Sequence, residues 1–146
     1  MKRHESLISL SREHHGALIL AQLLKKDAPI YKGLPTTPED KSTYAVEFYK
    51  AELEKHFEEE EDLVIKKIRG INSALDQVAD EIIAEHVALR ALFQDLHPGD
   101  GLVAKLNETG VVLEKHIRKE ERLFFPMIQE LCDEKILEEI GKSLSH

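Results

Sequence analysis

Four long stretches of the 146-residue chain repeat apolar residues at three-four spacing, and no stretch alternates as a half-buried strand would. The first runs from about Ser6 to Asp27 and carries Leu7, Leu10, Ala17, Ala21 and Leu24 on one face. The second opens at Thr37-Pro38-Glu39-Asp40, where a capping hydroxyl, a first-turn proline and two acids suit a helix start. Its face carries Val46, Tyr49, Leu53 and Leu63, and Gly70 ends it after Lys66, Lys67 and Arg69. The third begins at Asn72 or Ser73, carries Leu75, Ala79, Ile82, Leu89, Phe93 and Leu96, and stops at the turn His97-Pro98-Gly99-Asp100-Gly101. The fourth runs from about Leu102 to Leu131 with Leu106, Leu113, Leu123 and Met127 inward, and Pro126 inside it should kink or loosen it. A short amphipathic tail, Glu134 to Leu144, is expected to pack across one end.

The connections are short to moderate, so neighbouring helices should run antiparallel. The expected fold is all-α, an antiparallel up-down-up-down four-helix bundle with a short C-terminal helix, forming a single domain over residues 1–146.

Composition narrows the function classes. Apolar residues make up 42% of the chain, enough for one sizeable core. The formal charge of -8 argues against a nucleic-acid binder, which would show a basic face. No apolar run approaches a membrane span, and the basic start Met1-Lys2-Arg3 is followed by no apolar signal region. The lone Cys132 excludes an intramolecular disulfide framework and a cysteine-cage zinc site, and reads as a small packing residue. These features predict a cytoplasmic protein with neither nucleic acid nor membrane as partner. There is no phosphate-cradling glycine loop, no nucleophile elbow and no E-x-x-H of the ferritin kind.

Continuing the four stripes brings polar residues into them. His14 falls between Leu10 and Ala17, His56 and Glu60 between Leu53 and Leu63, His86 between Ile82 and Leu89, and His116 and Glu120 between Leu113 and Leu123. One H-x-x-x-E on a charged helix is usually a solvated pair, but both of these lie on the seam. The chain also repeats itself. Glu54-Lys55-His56-x-x-x-Glu60-Glu61-x-Leu63 returns as Glu114-Lys115-His116-x-x-x-Glu120-Glu121-x-Leu123, and Glu13-His14 corresponds to Glu85-His86. A pseudo-twofold bundle follows.

Two carboxylates and four imidazoles meeting in a core have no evident protein cation to offset them. A pair of divalent metal ions would supply the charge, and the alternative is a hydrogen-bonded polar core without metal. Imidazole with carboxylate suits iron, zinc, manganese or nickel, and the absence of thiolates disfavours copper(I) and iron–sulfur clusters. Two bridging carboxylates with histidine terminal ligands suit two iron ions.

In this order and spacing, Glu13-His14-His15, His56-x-x-x-Glu60, Glu85-His86 and His116-x-x-x-Glu120 resemble the hemerythrin-like, HHE cation-binding family from Leu7 to about Leu131. The resemblance implies a non-haem di-iron centre with His14 and His56 on one metal, His86 and His116 on the other, and Glu60 and Glu120 bridging. It implies binding or sensing of a small diatomic ligand, dioxygen or nitric oxide, or of peroxide. The alternatives are a di-iron enzyme that acts on peroxide or supplies iron for cluster repair, and a zinc-bound or metal-free interaction bundle. A homodimer and an unidentified protein partner remain open. Dioxygen carriers of the family have a second histidine on the third helix, four residues from the first, where this chain has Ile82 or Arg90. The second metal is then expected to be one ligand short, with Glu59, Glu85 or His4 as candidate replacements. Glu120 also departs from the carriers, which have an aspartate one residue later.

On helix one the offsets favour His14 over His15, because Ala17, Leu20, Ala21 and Leu24 follow His14 as Leu89, Leu92, Phe93 and Leu96 follow His86. His4, His97 and His146 read as solvated or helix-end residues. Tyr49 reads as core, and Phe57, Phe93, Phe124 and Phe125 as core or pocket walls.

Overall fold

The computed structural model describes residues 2–145, and among them there are five helices and no strand. The sequence reading of His146 falls outside the described residues. Helix α1 (Ile8–Leu24) is entered through a 3-10 turn at Glu5–Leu7. Helix α2 follows one path over 38–68: α-helical at Pro38–Phe48, a wide π-turn at Tyr49–Leu53, α-helical at Glu54–Glu59, a second π-turn at Glu60–Ile65, and a last α-turn at Lys66–Ile68. Helix α3 spans Ser73–Gln94. Helix α4 runs α-helically over Leu102–Lys119, widens at Glu120–Phe124 and continues over Phe125–Leu131. Helix α5 is Glu134–Leu144.

The starts follow the sequence signals. Thr37 Oγ1 accepts from Asp40 N at 3.2 Å, and Asn72 Oδ1 accepts from Ala74 N and Leu75 N. His4 is not solvated as expected. Its Nδ1 accepts from Ser6 N at 3.0 Å and its Nε2 lies 3.0 Å from Glu134, which ties the chain's beginning to α5.

Three inward assignments are overturned by the π-turns. Leu123 is exposed and Met127 only half-buried, whereas Phe124, Phe125 and Ile128 are sealed. Likewise Leu63 is half-buried and Val64, Ile65 and Ile68 take the core. Each π-turn holds one residue more than an α-turn, so the inward register beyond it moves on by one. Val46 also gives way to Ala45 on the α2 face.

Pro126 follows one of these turns, as its predicted loosening of α4 requires. In the π register it would serve the Glu121 carbonyl, but it has no N–H. Arg3 Nη2 donates to that carbonyl instead, at 2.8 Å.

The apolar core forms two clusters. One gathers Leu7, Leu10, Val64, Ile68, Ile82, Phe124 and Ile128 with Leu137 and Ile140 of α5, so the tail packs across an end as expected. The other gathers Leu20, Leu24, Tyr49, Phe57, Phe93, Leu106 and Leu113. Tyr49 stacks on Phe93 at 5.1 Å, a core contact. Helices α1 and α4 approach closely at Gly110, where an added Cβ would stand 2.6 Å from the Ala21 carbonyl oxygen. None of the helices among the described residues is long and apolar enough to cross a membrane. Cys132 is buried.

Candidate metal centre

Between the two apolar clusters lies a belt of six buried polar side chains: His14, His56, Glu60, His86, His116 and Glu120. These are the six residues picked out on the four seams. They form two groups of four, each with ligand-type atoms within 4.8 Å of one another: His14, His56, Glu60 and Glu120, and Glu60, His86, His116 and Glu120. Both carboxylates belong to both groups. Glu60 Oε1 lies 3.1 Å from His56 Nε2 and 3.3 Å from His86 Nε2, while Glu120 Oε1 lies 3.5 Å from His14 Nε2 and 2.7 Å from His116 Nε2.

The belt is polar but unsatisfied. Glu60 and Glu120 are both 0% exposed. All four of their carboxylate oxygens lack a hydrogen bond, as do His86 Nε2 and His116 Nε2. His14 Nε2 and His56 Nε2 face each other at 3.1 Å, an arrangement two bare lone pairs cannot keep. Buried polar groups are nearly always paired, so this many orphans in one place call for a shared cation. Six nitrogen and oxygen donors facing inward suit divalent metal ions.

What fixes the imidazoles is a second set of carboxylates, one for each ring. Glu13 of α1 accepts from His56 Nδ1 of α2 at 2.7 Å. Glu61 of α2 accepts from His86 Nδ1 of α3 at 2.6 Å. Glu85 of α3 accepts from His116 Nδ1 of α4 at 2.7 Å. Glu121 of α4 accepts from His14 Nδ1 of α1 at 2.6 Å, and the ring of four helices is closed. An ionised carboxylate can only accept, so each Nδ1 carries the proton and each Nε2 is left as the inward donor atom. The signal was in the sequence as Glu-His before helices one and three's ligands and Glu-Glu on helices two and four, but spacing alone does not say that each acid serves the neighbouring helix.

Charge is distributed accordingly. Burial works to raise the Glu60 pKa, but His56 and His86 outweigh it and hold the carboxyl well below its ordinary range. Burial works to lower the His56 pKa, yet Glu60 and Glu13 push it up to about 10. Burial and Lys119-bound Glu85 oppose each other at His116, and there burial prevails and the pKa falls.

His15 is exposed, whereas His14 is buried and stands in the belt. Ile82 is sealed in the apolar core and Arg90 donates to Glu61 at 3.0 Å. The shortfall expected at one metal is not confined to it, since each group has two histidines and shares two glutamates. Glu59, Glu85 and His4 stand in neither group. Phe57 stacks on His86 at 4.2 Å and Phe125 on His14 at 5.5 Å, so these two rings wall the belt. His97 is exposed at the end of α3.

Neither the search of curated proteins nor that of solved structures found a match. A family model, the hemerythrin HHE cation-binding domain, matches residues 6–128, which takes in the whole belt and the carboxylates around it. With most of its length and every member of the belt inside that match, the chain belongs to the hemerythrin HHE cation-binding domain family.

Proposed function

We propose that the chain is a non-haem di-iron protein whose centre binds or senses dioxygen, nitric oxide or a related small ligand. His14 and His56 would hold one ion, His86 and His116 the other, and Glu60 and Glu120 would bridge them. The observation that carries this reading is the pair of fully buried glutamates, each reaching a histidine of both groups and none of their oxygens hydrogen-bonded. Iron bound there would supply redox-active positions for a small ligand. The chain's own residues do the rest: the outer carboxylates orient each imidazole, and Phe57 and Phe125 limit water at the belt. The same reading takes the four long helices as an up-down-up-down antiparallel bundle. In support, Arg3 meets Glu121 while Lys26 meets Asn107, and Lys119 meets Glu81 while Lys105 meets Asp95.

A second reading is turnover of peroxide or release of iron to an acceptor. It is favoured by a cavity of about 190 Å³ that reaches His14 and His56 from solvent.

Anaerobic loading with ferrous iron, followed by metal analysis and an absorption spectrum before and after dioxygen or nitric oxide, tests the first reading. About two irons per chain and new near-ultraviolet charge-transfer absorption are expected. Failure to retain iron sinks it. The Glu60→Gln, Glu120→Gln double variant should stay helical and lose one or both ions, and wild-type metal content in it would remove the bridging assignment. Repeated turnover with peroxide would favour the second reading.

A further inference from the structure

The two groups match in their donors but differ in their walls. On the α1/α2 side, the cavity of about 190 Å³ is lined by His14 and His56 at its floor and by Gly16 and Phe48 at its side. Its mouth carries Arg12, Glu13 and Glu52, all exposed. Gly16 keeps the passage open, because a Cβ there would already touch the Phe48 ring at 3.6 Å. Glu13 holds His56 from this mouth with its side chain 44% exposed, and it forms no ion pair with a Lys or Arg among the described residues.

On the α3/α4 side the cover is tight. Phe57 lies flat on His86 at 4.2 Å and edge-on to His116 at 5.9 Å. Arg90 sits over Phe57 at 5.6 Å and also pairs with Glu61. Glu85, which holds His116, is paired with Lys119 at 2.7 Å. The His14 side has a cover of its own, Phe125 stacked on His14 at 5.5 Å with Arg3 over it at 5.4 Å. Beside that cover, however, lies the open cavity, whose mouth carries Glu13, Glu52 and Arg12. A cation leaving the α3/α4 side would have to move Phe57 and pass Lys119.

Resting on the two-ion reading above, we propose that the two ion positions exchange at different rates. The ion held by His14 and His56 enters and leaves through the α1/α2 cavity, and the ion held by His86 and His116 is retained behind Phe57. The chain then gives up one divalent cation while keeping the other, with Gly16 and Phe48 setting the rate.

The test is rapid mixing of the full chain, loaded anaerobically with ferrous iron, with excess colorimetric ferrous chelator. Release is expected in two phases of one ion each, separated by about tenfold or more in rate. Gly16→Leu, which fills the passage, should slow the fast phase by about tenfold and leave the slow phase unchanged. Phe48→Ala, which widens it, should speed the fast phase, so the inference does not depend on one variant folding. Two ions leaving in a single phase overturn the inference and leave the two-ion centre standing, as does a fast phase that neither variant alters. A chain that cannot be loaded beyond trace iron overturns the two-ion reading itself.

Discussion

A glutamate with both oxygens sealed from water costs several kcal/mol unless something positive shares its space. Glu60 and Glu120 are in that position, and the protein devotes four more glutamates to the imidazoles around them. Those outer acids orient donor atoms without touching a metal, so their loss should weaken binding without abolishing it. Replacing Glu85 or Glu121 by Ala is expected to lower metal affinity by about 10–100-fold. Competition with a chelator of known affinity measures this, and unchanged affinity in both variants would remove the orienting role. Protons compete for the same atoms. In the metal-free chain His56 has its pKa raised from 6.5 to about 10, because Glu60 and Glu13 outweigh burial. Such a group contributes stability that is complete below 6.5 and lost as pH rises through about 10. Glu60, shifted the other way, loses its contribution only in acid. A bound ion replaces the His56 proton, so the metal-loaded chain should not share the alkaline loss. Melting temperatures of both forms from pH 6.5 to about 10 should therefore diverge, and a gap that narrows would contradict the competition.

The helices carry the centre by departing from regular geometry at chosen places. Two of the π-turns begin at Glu60 and Glu120 themselves, at matching positions in the two halves of the repeat. Each lets the seam carry a donor and still return Val64 or Phe124 to the core one residue late. This explains what was legible in the sequence. His14, His86, His116 and Glu120 lie upstream of the shifts or at the first residue of one, and His56 and Glu60, which follow the π-turn at Tyr49–Leu53, keep three-four spacing from Leu53. Leu63, Leu123 and Met127 come after Glu60 or Glu120, where that counting fails by one, and only Pro126 hinted at a change. The outer carboxylates were visible as Glu-His and Glu-Glu pairs, but which helix each would serve depends on packing. Deleting exposed Leu123 should convert its turn to a regular α-turn, since Phe124, Phe125 and Ile128 then fall three, four and seven residues after Glu120. The variant is expected to keep its helical circular dichroism and lose metal, and full metal retention would show the wide turn to be dispensable. The α1–α4 approach is a separate matter. Gly110→Ala pushes a methyl against the Ala21 carbonyl and should destabilise the chain by about 1–3 kcal/mol in a denaturant titration, whatever its metal content.

At the scale of the whole molecule, the polar belt divides the hydrophobic core. One apolar cluster lies on the α5 side and the other on the side of Tyr49 and Phe93, with few apolar contacts available through the level of His14, His56, His86 and His116. Ions bound in the belt would join all four long helices at the one level where hydrophobic packing does not. Free metal at about a hundred times its dissociation constant stabilises a fold by about 2.7 kcal/mol. For a domain of this size that corresponds to a rise in melting temperature of about 5–10 °C. The cooperativity of unfolding should change as well. With metal bound, both clusters should melt in one transition whose calorimetric and van't Hoff enthalpies agree. After removal of metal by a chelator, the belt retains unsatisfied carboxylates between two apolar halves. The melt is then expected to fall in temperature and broaden, with the calorimetric enthalpy exceeding the van't Hoff value as the halves uncouple. Scanning calorimetry of the same preparation before chelation, after chelation and after reloading separates this from irreversible damage. A melting temperature and enthalpy ratio that ignore the metal would mean that the belt is stable on its own terms, which is what a metal-free interaction bundle would require.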